Sequence, residues 1–308
     1  MKKRILVLGN SNVDFVFKIP RFHHPGETIL AESQVTFFGG KGANQAITAK
    51  RLGGNVSFVT KLGNDLNGKS YRHHLIKNGL DPILILTDKK LPTGMAVIEL
   101  TPKGENRIVV FLGANSSLSV NDLNRLRRYW IGVDVFVTQL EIPLPTVERG
   151  LKMARDQGGL TLLNPSPPVQ LPPHLLSLVD YIVPNELEAQ LLTGIKWKGV
   201  REIRNMAKKL LDTGVKNVVI TLGPKGLFFK NRNQELWMDA FRVNVIDTTA
   251  AGDAFLGALA TGLSENQPIQ EALKFANGAG ALATTKLGAQ PSLPLKKDLD
   301  LFLCCVIS

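Results

Sequence analysis

The fold is decided by residues 133–163, which read VDVFVTQLEIPLPTVERGLKMARDQGGLTLL. The apolar runs Val133 to Val137 and Leu160 to Leu163 have the length of buried strands, and Leu144 to Arg155 between them has the apolar spacing of an amphipathic helix. A strand, a helix and a second strand in this order form the crossover that joins two parallel strands of one sheet. The segment therefore predicts a parallel sheet covered by helices.

The same alternation recurs along the rest of the chain. Further apolar runs of strand length are Ile5 to Leu8, Val56 to Val59, Tyr181 to Val183 and Val218 to Leu222. Further helical patterns are Gly42 to Leu52, Val200 to Leu211 and Ile269 to Thr284. Continuously apolar strands are typical of a sheet that is buried on both faces. The expected fold class is therefore α/β, with a mostly parallel central sheet and helices on both faces.

Two regions interrupt the alternation. Val13 to Pro20 and Glu27 to Phe38 have the pattern of extended arms, and Met95 to Phe111 has the pattern of a hairpin that turns near Gly104. Because these strands have no helices of their own, we expect them to form a small β-sheet that projects over the main sheet as a lid. A helix over Glu27 to Phe38 is the alternative. No linker divides the chain, so we expect one domain over residues 1–308, with lid strands approximately within 13–38 and 95–111.

The composition is that of an ordinary globular enzyme. Of 308 residues, 44% are hydrophobic and 20% are charged, which argues against a disordered chain. No apolar stretch approaches the ~20 residues that cross a bilayer, and the first apolar run ends at Gly9, so neither a membrane span nor a signal peptide is expected. Cys304 and Cys305 are adjacent and cannot link distant parts of the chain, which favours a reducing, cytoplasmic location.

The net charge of +11 is spread along the chain, and only three Trp and three Tyr could stack on bases, so a nucleic-acid partner is not expected. A basic surface is compatible with attraction of an anionic nucleotide. The five histidines have no metal-ligand spacing. The last four residues, Cys305 to Ser308, match a prenylation pattern, but they have little basic sequence upstream and a frayed end is the simpler interpretation.

Two short motifs indicate chemistry. Phe38 to Asn44 (FGGKGAN) leads into a predicted helix, where glycines let a ligand approach the backbone and the helix N-terminus offers free N–H groups. The FGGKGAN segment is not a Walker A loop, because its glycines and lysine do not have the spacing Gly-x-x-x-x-Gly-Lys-Ser/Thr. By itself the motif is equally compatible with a helix cap that binds nothing.

Asp247 to Asp253 (DTTAAGD) is the more specific motif, and it precedes the small, apolar helix Ala254 to Gly262. A loop of small residues at a helix start directs several backbone N–H groups toward one point, which suits a migrating phosphoryl group. An acid in the first helical turn is often only a favourable partner of the helix dipole. Here one segment combines an anion cradle with a carboxylate that can accept a hydroxyl proton, and this favours a catalytic role for Asp253.

With these two motifs in this order, the chain resembles the ribokinase branch of the PfkB-type carbohydrate kinases. The resemblance extends over nearly the whole chain, and the other matching segments are Asn12 to Asp14, Glu141, Asn185 to Glu188, Thr221 to Gly223 and Gly288 to Ser292. It implies ATP-dependent transfer of a phosphoryl group to O5 of ribose. Asp253 would accept the O5 proton, and the N–H groups of Ala250, Ala251 and Gly252 would stabilise the developing charge.

The resemblance also implies the binding residues. Those for the sugar would be Asn12, Asp14, Gly40, Lys41, Gly42, Ala43, Asn44, Glu141 and Asp253. Asn185 and Glu188 match a pair associated with Mg²⁺ and phosphate, which suits oxygen ligands acting mostly through water. Without the family, Asn185 would be interpreted as a helix cap and Glu188 as a solvent-facing acid. The remaining ATP-binding residues would be Thr221, Leu222, Gly223, Pro224, Lys225, Gly226, Gly252 and Asn277.

A monovalent cation, K⁺, is a further implied activator. Its site would combine Asp247 and Thr249 with a later segment that offers mainly carbonyl and hydroxyl oxygens. The residues of that segment are Ala283, Lys286, Gly288 and Ser292. The alternative is that Asp247 only caps a turn and that Gly288 only ends a helix. Ala250 departs from the family, which usually has glycine there, and alanine tolerates a positive φ poorly.

The function expected from the sequence is phosphorylation of D-ribose by ATP and Mg²⁺ in a homodimer that pairs through the lid strands, since exposed sheet edges favour pairing. A kinase for deoxyribose, adenosine or another sugar is the nearest alternative, because these enzymes would share the fold and the phosphate-binding segments. A sugar-binding regulator without catalysis is an alternative of another class.

Overall fold

The structure is a computed structural model that describes residues 3–307. Ser308, the last residue of the prenylation-like pattern, lies outside the described residues. The strands are β1 (Arg4–Leu8), β2 (Asn12–Lys18), β3 (Ser33–Gly39), β4 (Asn55–Gly63), β5 (Ile85–Asp88), β6 (Gly94–Leu100), β7 (Asn106–Phe111), β8 (Val135–Thr138), β9 (Leu160–Leu163), β10 (Tyr181–Ile182), β11 (Asn217–Thr221), β12 (Leu227–Asn231) and β13 (Glu235–Met238).

The α-helices are also numbered in chain order. They are α1 (Lys41–Arg51), α2 (Leu66–Lys77), α3 (Val120–Arg125), α4 (Leu144–Asp156), α5 (Pro173–Leu176), α6 (Glu186–Thr193), α7 (Val200–Leu211), α8 (Ala251–Ser264), α9 (Ile269–Ala283), α10 (Ala289–Ser292) and α11 (Lys296–Ile307). Over the described part of the chain, no helix combines the length and the apolar character that a membrane span requires.

The main sheet has nine strands in the order β13-β12-β11-β10-β9-β8-β1-β4-β5. The pairs from β11 to β5 are parallel, and β12 and β13 extend one edge as an antiparallel hairpin. The unit β8-α4-β9 has the predicted parallel pairing, with Val135 opposite Leu160. The α/β class with a mostly parallel sheet is therefore confirmed.

The central strand β1 shows why its sequence is apolar at consecutive positions. Ile5 and Val7 pack into one hydrophobic cluster, which contains helices α1, α8 and α9. Leu6 and Leu8 pack into a second cluster, which contains α4 and α7. Successive strand residues point to opposite faces, so a sheet with helices on both sides buries all of them.

The interrupting segments form a separate four-stranded sheet in the order β3-β2-β6-β7. The central pair β2 and β6 is parallel, and the two outer pairs are antiparallel. The hairpin turn lies where expected, with the Gly104 N–H donating to the Thr101 carbonyl at 2.9 Å. A helix over Glu27 to Phe38 was the wrong alternative, because 33–39 is a strand and 27–32 has neither helix nor strand structure.

Helices α1 and α8 pack closely enough to bring two distant motifs together. A Cβ atom at Gly257 in α8 would lie 2.6 Å from the Gln45 carbonyl oxygen in α1, so this contact requires glycine. Both helices begin beside the carboxyl ends of the parallel strands, which is the edge where open α/β sheets bind their ligands. The fold thus places both predicted motifs at one site.

Candidate active site

The first wall of the site is the start of α1. The Gly42 N–H donates to Asn10 Oδ1 at 2.9 Å, and a Cβ atom at Gly42 would lie 2.7 Å from the Cα of Gly9. A Cβ atom at Gly40 would lie 2.7 Å from the backbone nitrogen of Asn12. These glycines therefore let α1 pack against the segment after β1. The sequence interpretation was that Gly40 and Gly42 make room for a ligand, and it did not include their contact with the segment after β1.

Lys41 and Glu141 form an ion pair in this wall, with Nζ 2.9 Å from Oε1. The other oxygen of Glu141 accepts a hydrogen bond from the side-chain amide of the buried Asn10. Burial lowers the pKa of Lys41, but the negative charges of Glu141 and Asp253 outweigh it and raise the pKa overall. Lys41 therefore stays charged beside the acidic groups of the site.

Asp253 lies in the first turn of α8 and has 9% of its surface exposed. Its Oδ2 accepts from Asn44 Nδ2 and its Oδ1 from Gln45 Nε2, both at 2.9 Å. Burial raises the pKa of Asp253, whereas the charge of Lys41 and the two amide hydrogen bonds lower it. This carboxyl group is held in one orientation and is only weakly hydrated, as suits a proton acceptor.

Asp14, in β2, is a second carboxyl group with a perturbed pKa. Burial, and then the negative charge of Glu141, raise the pKa of Asp14 to about 7, against the lowering effect of Lys41. Its carboxylate lies against Gly39, where a Cβ atom would be 2.0 Å from Asp14 Oδ2. The neighbouring Asn12 is buried, and its Oδ1 accepts from Asn115 Nδ2 at 2.8 Å.

The predicted anion cradle forms the second wall. Ala250 is the N-cap of α8 and is left-handed, at φ 63° and ψ 8°, a conformation that costs a non-glycine residue roughly 1–2 kcal/mol. The first-turn N–H groups of Gly252 and Asp253 have no helical partners, as in any α-helix, and no side chain caps them. The Ala251 N–H donates to the Thr248 carbonyl in a long bond of 3.3 Å.

Asn185 and Glu188 form a capping box at the start of α6. The Asn185 N–H donates to Glu188 Oε2 at 2.9 Å, and the Glu188 N–H donates to Asn185 Oδ1 at 2.8 Å. The interpretation of Asn185 as a cap is thus correct, but Glu188 does not face solvent, because only 6% of its surface is exposed. Burial raises the pKa of Glu188, and its charge contributes to the raised pKa of Lys41.

The loop after β11 contains the predicted nucleotide residues. Gly223 has φ 55° with open space where a Cβ atom would be, whereas a Cβ atom at Gly226 would lie 1.9 Å from the Met238 carbonyl oxygen. Position 226 therefore has to be glycine, because any side chain there would collide with the backbone of β13. Thr221 is the last residue of β11. The resemblance also assigned Leu222, Pro224 and Lys225 to ATP binding. The Leu222 side chain is buried in the core, whereas Pro224 and Lys225 are exposed.

Two more of the predicted positions have partners in the protein itself. Asn277 Nδ2 donates to the Asp239 carbonyl at 2.8 Å and so ties α9 to the segment after β13. Ala43 is fully buried in the core, so only its backbone could face a ligand.

The two segments of the predicted cation site do lie side by side. The N–H groups of Ile246 and Asp247 donate to the Thr284 carbonyl at 2.8 and 3.1 Å, and the Gly288 N–H donates to Asp247 Oδ2 at 2.8 Å. Asp247 Oδ1 accepts from the N–H and the hydroxyl of Thr249 at 2.9 and 2.6 Å. Asp247 thus caps the turn, as the alternative interpretation held. Of the other positions, Lys286 is exposed, and Ala283 and Ser292 are buried.

The sequence interpretation missed four buried amides in this site. They are Asn10, Gln45, Asn115 and Gln139, each no more than 1% exposed. Gln139 Nε2 donates to Gln45 Oε1 at 2.5 Å, and Asn115 Oδ1 accepts from the Ser11 N–H at 2.9 Å. Asn10 and Gln139 follow the ends of β1 and β8 closely, and this position was the available signal for these two, because an amide next to an apolar strand has to find partners when it is buried.

Together these groups provide a proton acceptor, free backbone donors beside it and several polar side chains that could bind hydroxyl groups. Proton removal from an alcohol next to an anion cradle is the chemistry of phosphoryl transfer to a hydroxyl group. The described residues contain no cluster of three or more His, Cys, Asp or Glu that could hold a metal ion.

The chain has many similar proteins of known sequence. It is 39% identical over 302 residues to a ribokinase of Staphylococcus aureus (strain COL), with 97% of this chain and 99% of that protein covered. It is 40% identical to a ribokinase of Haemophilus influenzae, with 98% and 99% covered. It is 33% identical to a deoxyribokinase of Salmonella typhi, with 97% and 98% covered.

Solved structures agree over the same length. A ribokinase from Thermotoga maritima is 35% identical and has a TM-score of 0.89, with 99% of this chain and 100% of that one covered. The Arabidopsis thaliana ribokinase, solved with ribose and ATP, is 32% identical and has a TM-score of 0.90, with 98% and 99% covered. The sequence profile of the pfkB family carbohydrate kinases matches residues 2–296. The chain therefore belongs to the pfkB family of carbohydrate kinases.

Proposed function

We propose that the protein transfers the γ-phosphoryl group of ATP to the O5 hydroxyl of D-ribose, giving D-ribose 5-phosphate and ADP. The observation that carries this proposal is the position of Asp253. Its carboxylate, in the first turn of α8, adjoins the free N–H groups of that turn and is bonded to Asn44 of the FGGKGAN motif. One carboxyl group thus adjoins both the phosphate-binding segment and the segment expected to bind the sugar.

In the proposed reaction Asp253 accepts the O5 proton while O5 attacks the γ-phosphorus and the bond to the leaving ADP oxygen breaks. The backbone N–H groups of Ala250 and Gly252 stabilise the charge on the transferred group, together with that of Ala251 when it gives up its long bond to the Thr248 carbonyl. The ammonium of Lys41 lowers the pKa values of both Asp253 and Asp14 and so favours their ionised forms.

The proposed sugar pocket has one buried acceptor that a hydroxyl group could satisfy. Asn44 Oδ1 is buried and has no partner among residues 3–307, although its amide nitrogen is bound to Asp253. A buried polar atom without a partner is costly, and a sugar hydroxyl that donates to it would remove that cost. Asn12, Asp14 and Glu141 are the further side chains that we propose for the sugar hydroxyls.

The second candidate substrate is 2-deoxyribose, because a deoxyribokinase of Salmonella typhi is 33% identical to this chain over almost its whole length. The two sugars differ by one hydroxyl group. A site that hydrogen-bonds this group would discriminate strongly against the sugar that lacks it, because its buried partners would be left unpaired.

The test is ATP consumption by the purified protein with a panel of ribose, 2-deoxyribose, adenosine, fructose and no sugar. The proposal requires the highest kcat/KM for ribose and a product phosphorylated at O5. A higher kcat/KM for 2-deoxyribose than for ribose would identify 2-deoxyribose as the substrate, and the proposed phosphoryl transfer from ATP would still hold. If none of the compounds in the panel leads to ADP formation, the proposed function is wrong, and a regulator that only binds sugar is favoured.

The residues present fit Mg²⁺ that arrives with ATP. Mg²⁺ in kinase sites is held by one or two carboxylates plus substrate phosphates and usually keeps several waters. Glu188 and Asn185 are the acidic and amide groups that we propose for this ion, acting through water. When bound, Mg²⁺ neutralises charge on the phosphates.

The residues also fit a monovalent cation between the 246–249 and 284–288 segments. Hydrogen bonds from Ile246, Asp247 and Gly288 already hold these segments together, and their donor set is rich in carbonyl and hydroxyl oxygens. We propose K⁺ as an activator at this place, with Asp247, Thr249, Ala283, Lys286, Gly288 and Ser292 as the site residues, Lys286 through its carbonyl. The ion would preorganise the anion cradle without contacting the sugar.

We further propose that the small sheet covers the sugar as a lid and pairs with a second copy of the chain. Its edge strand β7 is exposed along its length, and Ile108 and Val109 are 53% and 70% exposed. An exposed apolar edge strand favours pairing with another chain. Because the proposed reaction uses ATP, we propose a cytoplasmic location.

A further inference from the structure

Asp253 receives two hydrogen bonds from α1, and only one of them comes from a residue already proposed to bind the sugar. The other comes from Gln45, whose Nε2 lies 2.9 Å from Asp253 Oδ1. Gln45 has no exposed surface, so it cannot contact the sugar or ATP directly. Gln45 Nε2 also lies 3.5 Å from Asn164 Oδ1, and its shorter bond, to the Asp253 carboxylate, is the one that can act on the proposed chemistry.

The orientation of the Gln45 amide is fixed by its second partner. Gln139, which follows β8, donates from Nε2 to Gln45 Oε1 at 2.5 Å. An ionised carboxylate only accepts hydrogen bonds, so Gln45 has to present its NH₂ group to Asp253 and its oxygen to Gln139. The donor of Gln139 meets this requirement, and the two amides form a chain with one direction.

The surroundings of Gln139, the first donor in this series of hydrogen bonds, keep the direction of the bonds from reversing. Gln139 Oε1 has no hydrogen-bond partner among the described residues, and it lies against Gly9, where a Cβ atom would be only 2.0 Å away. An oxygen can rest against the Cα–H of glycine in a weak contact. An NH₂ group in its place would leave two donors without acceptors, which costs more.

We propose that Gln45, held by Gln139, is a positioning residue that orients the Asp253 carboxylate and stabilises its ionised form. This inference rests on the proposed function, in which Asp253 accepts the O5 proton. Asn44 Nδ2 and Gln45 Nε2 each bond one carboxylate oxygen, so the carboxylate cannot rotate without losing both bonds. A base held in this way stays aligned with the attacking hydroxyl.

Other charged groups also act on Asp253 and have to be separated from the effect of Gln45. Lys41, on α1, lowers its pKa, while Glu141, after β8, raises it. Asp14 on β2 and Glu188 on α6 also interact with Asp253 through their charges. A neutral replacement of Gln45 leaves all these charges in place, so a change in the Asp253 pKa can be assigned to the lost hydrogen bond.

The experiment measures the Asp253 pKa in the full-length protein by ¹³C NMR of labelled aspartate carboxyl groups, with the signal assigned by Asp253→Asn. Gln45→Met keeps the side-chain length and removes the donor, and we expect it to raise the pKa by about one unit, as for loss of a hydrogen bond to a charged group. Gln139→Met, which does not contact Asp253, should raise it by less. The double variant should match Gln45→Met, because both residues act through one chain.

The matched control is Thr48→Val, which removes a buried hydroxyl from the same helix, where Thr48 bonds the Asn44 carbonyl. It should leave the Asp253 pKa unchanged. An unchanged pKa in a folded Gln45→Met protein would overturn the inference, as would equal shifts in the control. If Gln45→Met does not fold, the shift in Gln139→Met decides between the same two outcomes.

Activity provides the second readout. In Gln45→Met we expect kcat at neutral pH to fall about tenfold, the KM for ATP to stay the same, and the acidic limb of the kcat profile to move to higher pH. If the wild-type protein phosphorylates no sugar, the proposed function is wrong, while the NMR pKa still decides the inference about Gln45. A wild-type kinase whose kcat profile is unchanged in Gln45→Met would contradict the inference alone.

Discussion

Replacing Asp253 by asparagine is the most direct perturbation of the proposed chemistry. The substitution keeps the size of the side chain but removes a group that can accept a proton. A positioned general base contributes ~100-fold to ~10,000-fold to a rate. We therefore expect kcat to fall at least ~100-fold, which corresponds to about 2.7 kcal/mol of activation free energy.

The effect on folding can be worked out from the same contacts. Asp253 accepts from two amide donors, and an asparagine can accept from only one of them, so one hydrogen bond to a charged group, ~1.5–3 kcal/mol, is lost. Removing a buried carboxylate whose pKa is raised by burial offsets part of this loss. We therefore expect the free energy of unfolding to change by no more than about 2 kcal/mol.

The assay combines three measurements on Asp253→Asn, namely urea unfolding, ATP binding by calorimetry and initial rates with ribose. ATP affinity should stay near the wild-type value, because the first-turn N–H groups remain. The control is Asp156→Asn, which removes an exposed acid at the end of α4 and should change none of the three. Near-normal turnover by a folded Asp253→Asn protein would refute the assignment of the base.

Four other predictions follow from the structure and the proposals. Initial rates at equal ionic strength should be higher in K⁺ than in Na⁺ or tetramethylammonium, and Asp247→Ala should abolish the difference; equal rates in all three buffers would defeat the cation site. The pKa of Asp14 is raised to about 7, so this carboxyl group gains a proton as pH falls from 8 to 6, and the KM for the sugar should rise over this range in the wild type but not in Asp14→Asn. Gly257→Ala should lower the free energy of unfolding by about 1–3 kcal/mol in urea, because its Cβ would lie 2.6 Å from a backbone oxygen of α1. Light scattering at working concentration should give twice the chain mass, with Val109→Lys shifted toward the monomer, whereas a fully active wild-type monomer would disprove the dimer.

The sequence by itself determined the layered architecture and the candidate base. The apolar run Ile5 to Leu8 is unbroken because a sheet covered on both faces buries every side chain of this central strand, and this pattern is visible without coordinates. The order of the FGGKGAN and DTTAAGD motifs likewise identified Asp253. The antiparallel hairpin of β12 and β13 was not predicted, since short edge strands have no comparable pattern.

Only the tertiary structure decided how the site is held together. Asn44 and Gln45 are 209 and 208 positions away from Asp253, and the close packing of α1 on α8 brings them to 2.9 Å. The raised pKa of Asp14 depends on its burial and on Glu141, which follows a different strand. Hydrogen bonds and charge interactions act through a few ångströms of space, so the distance along the chain carries no information about them until the fold is known.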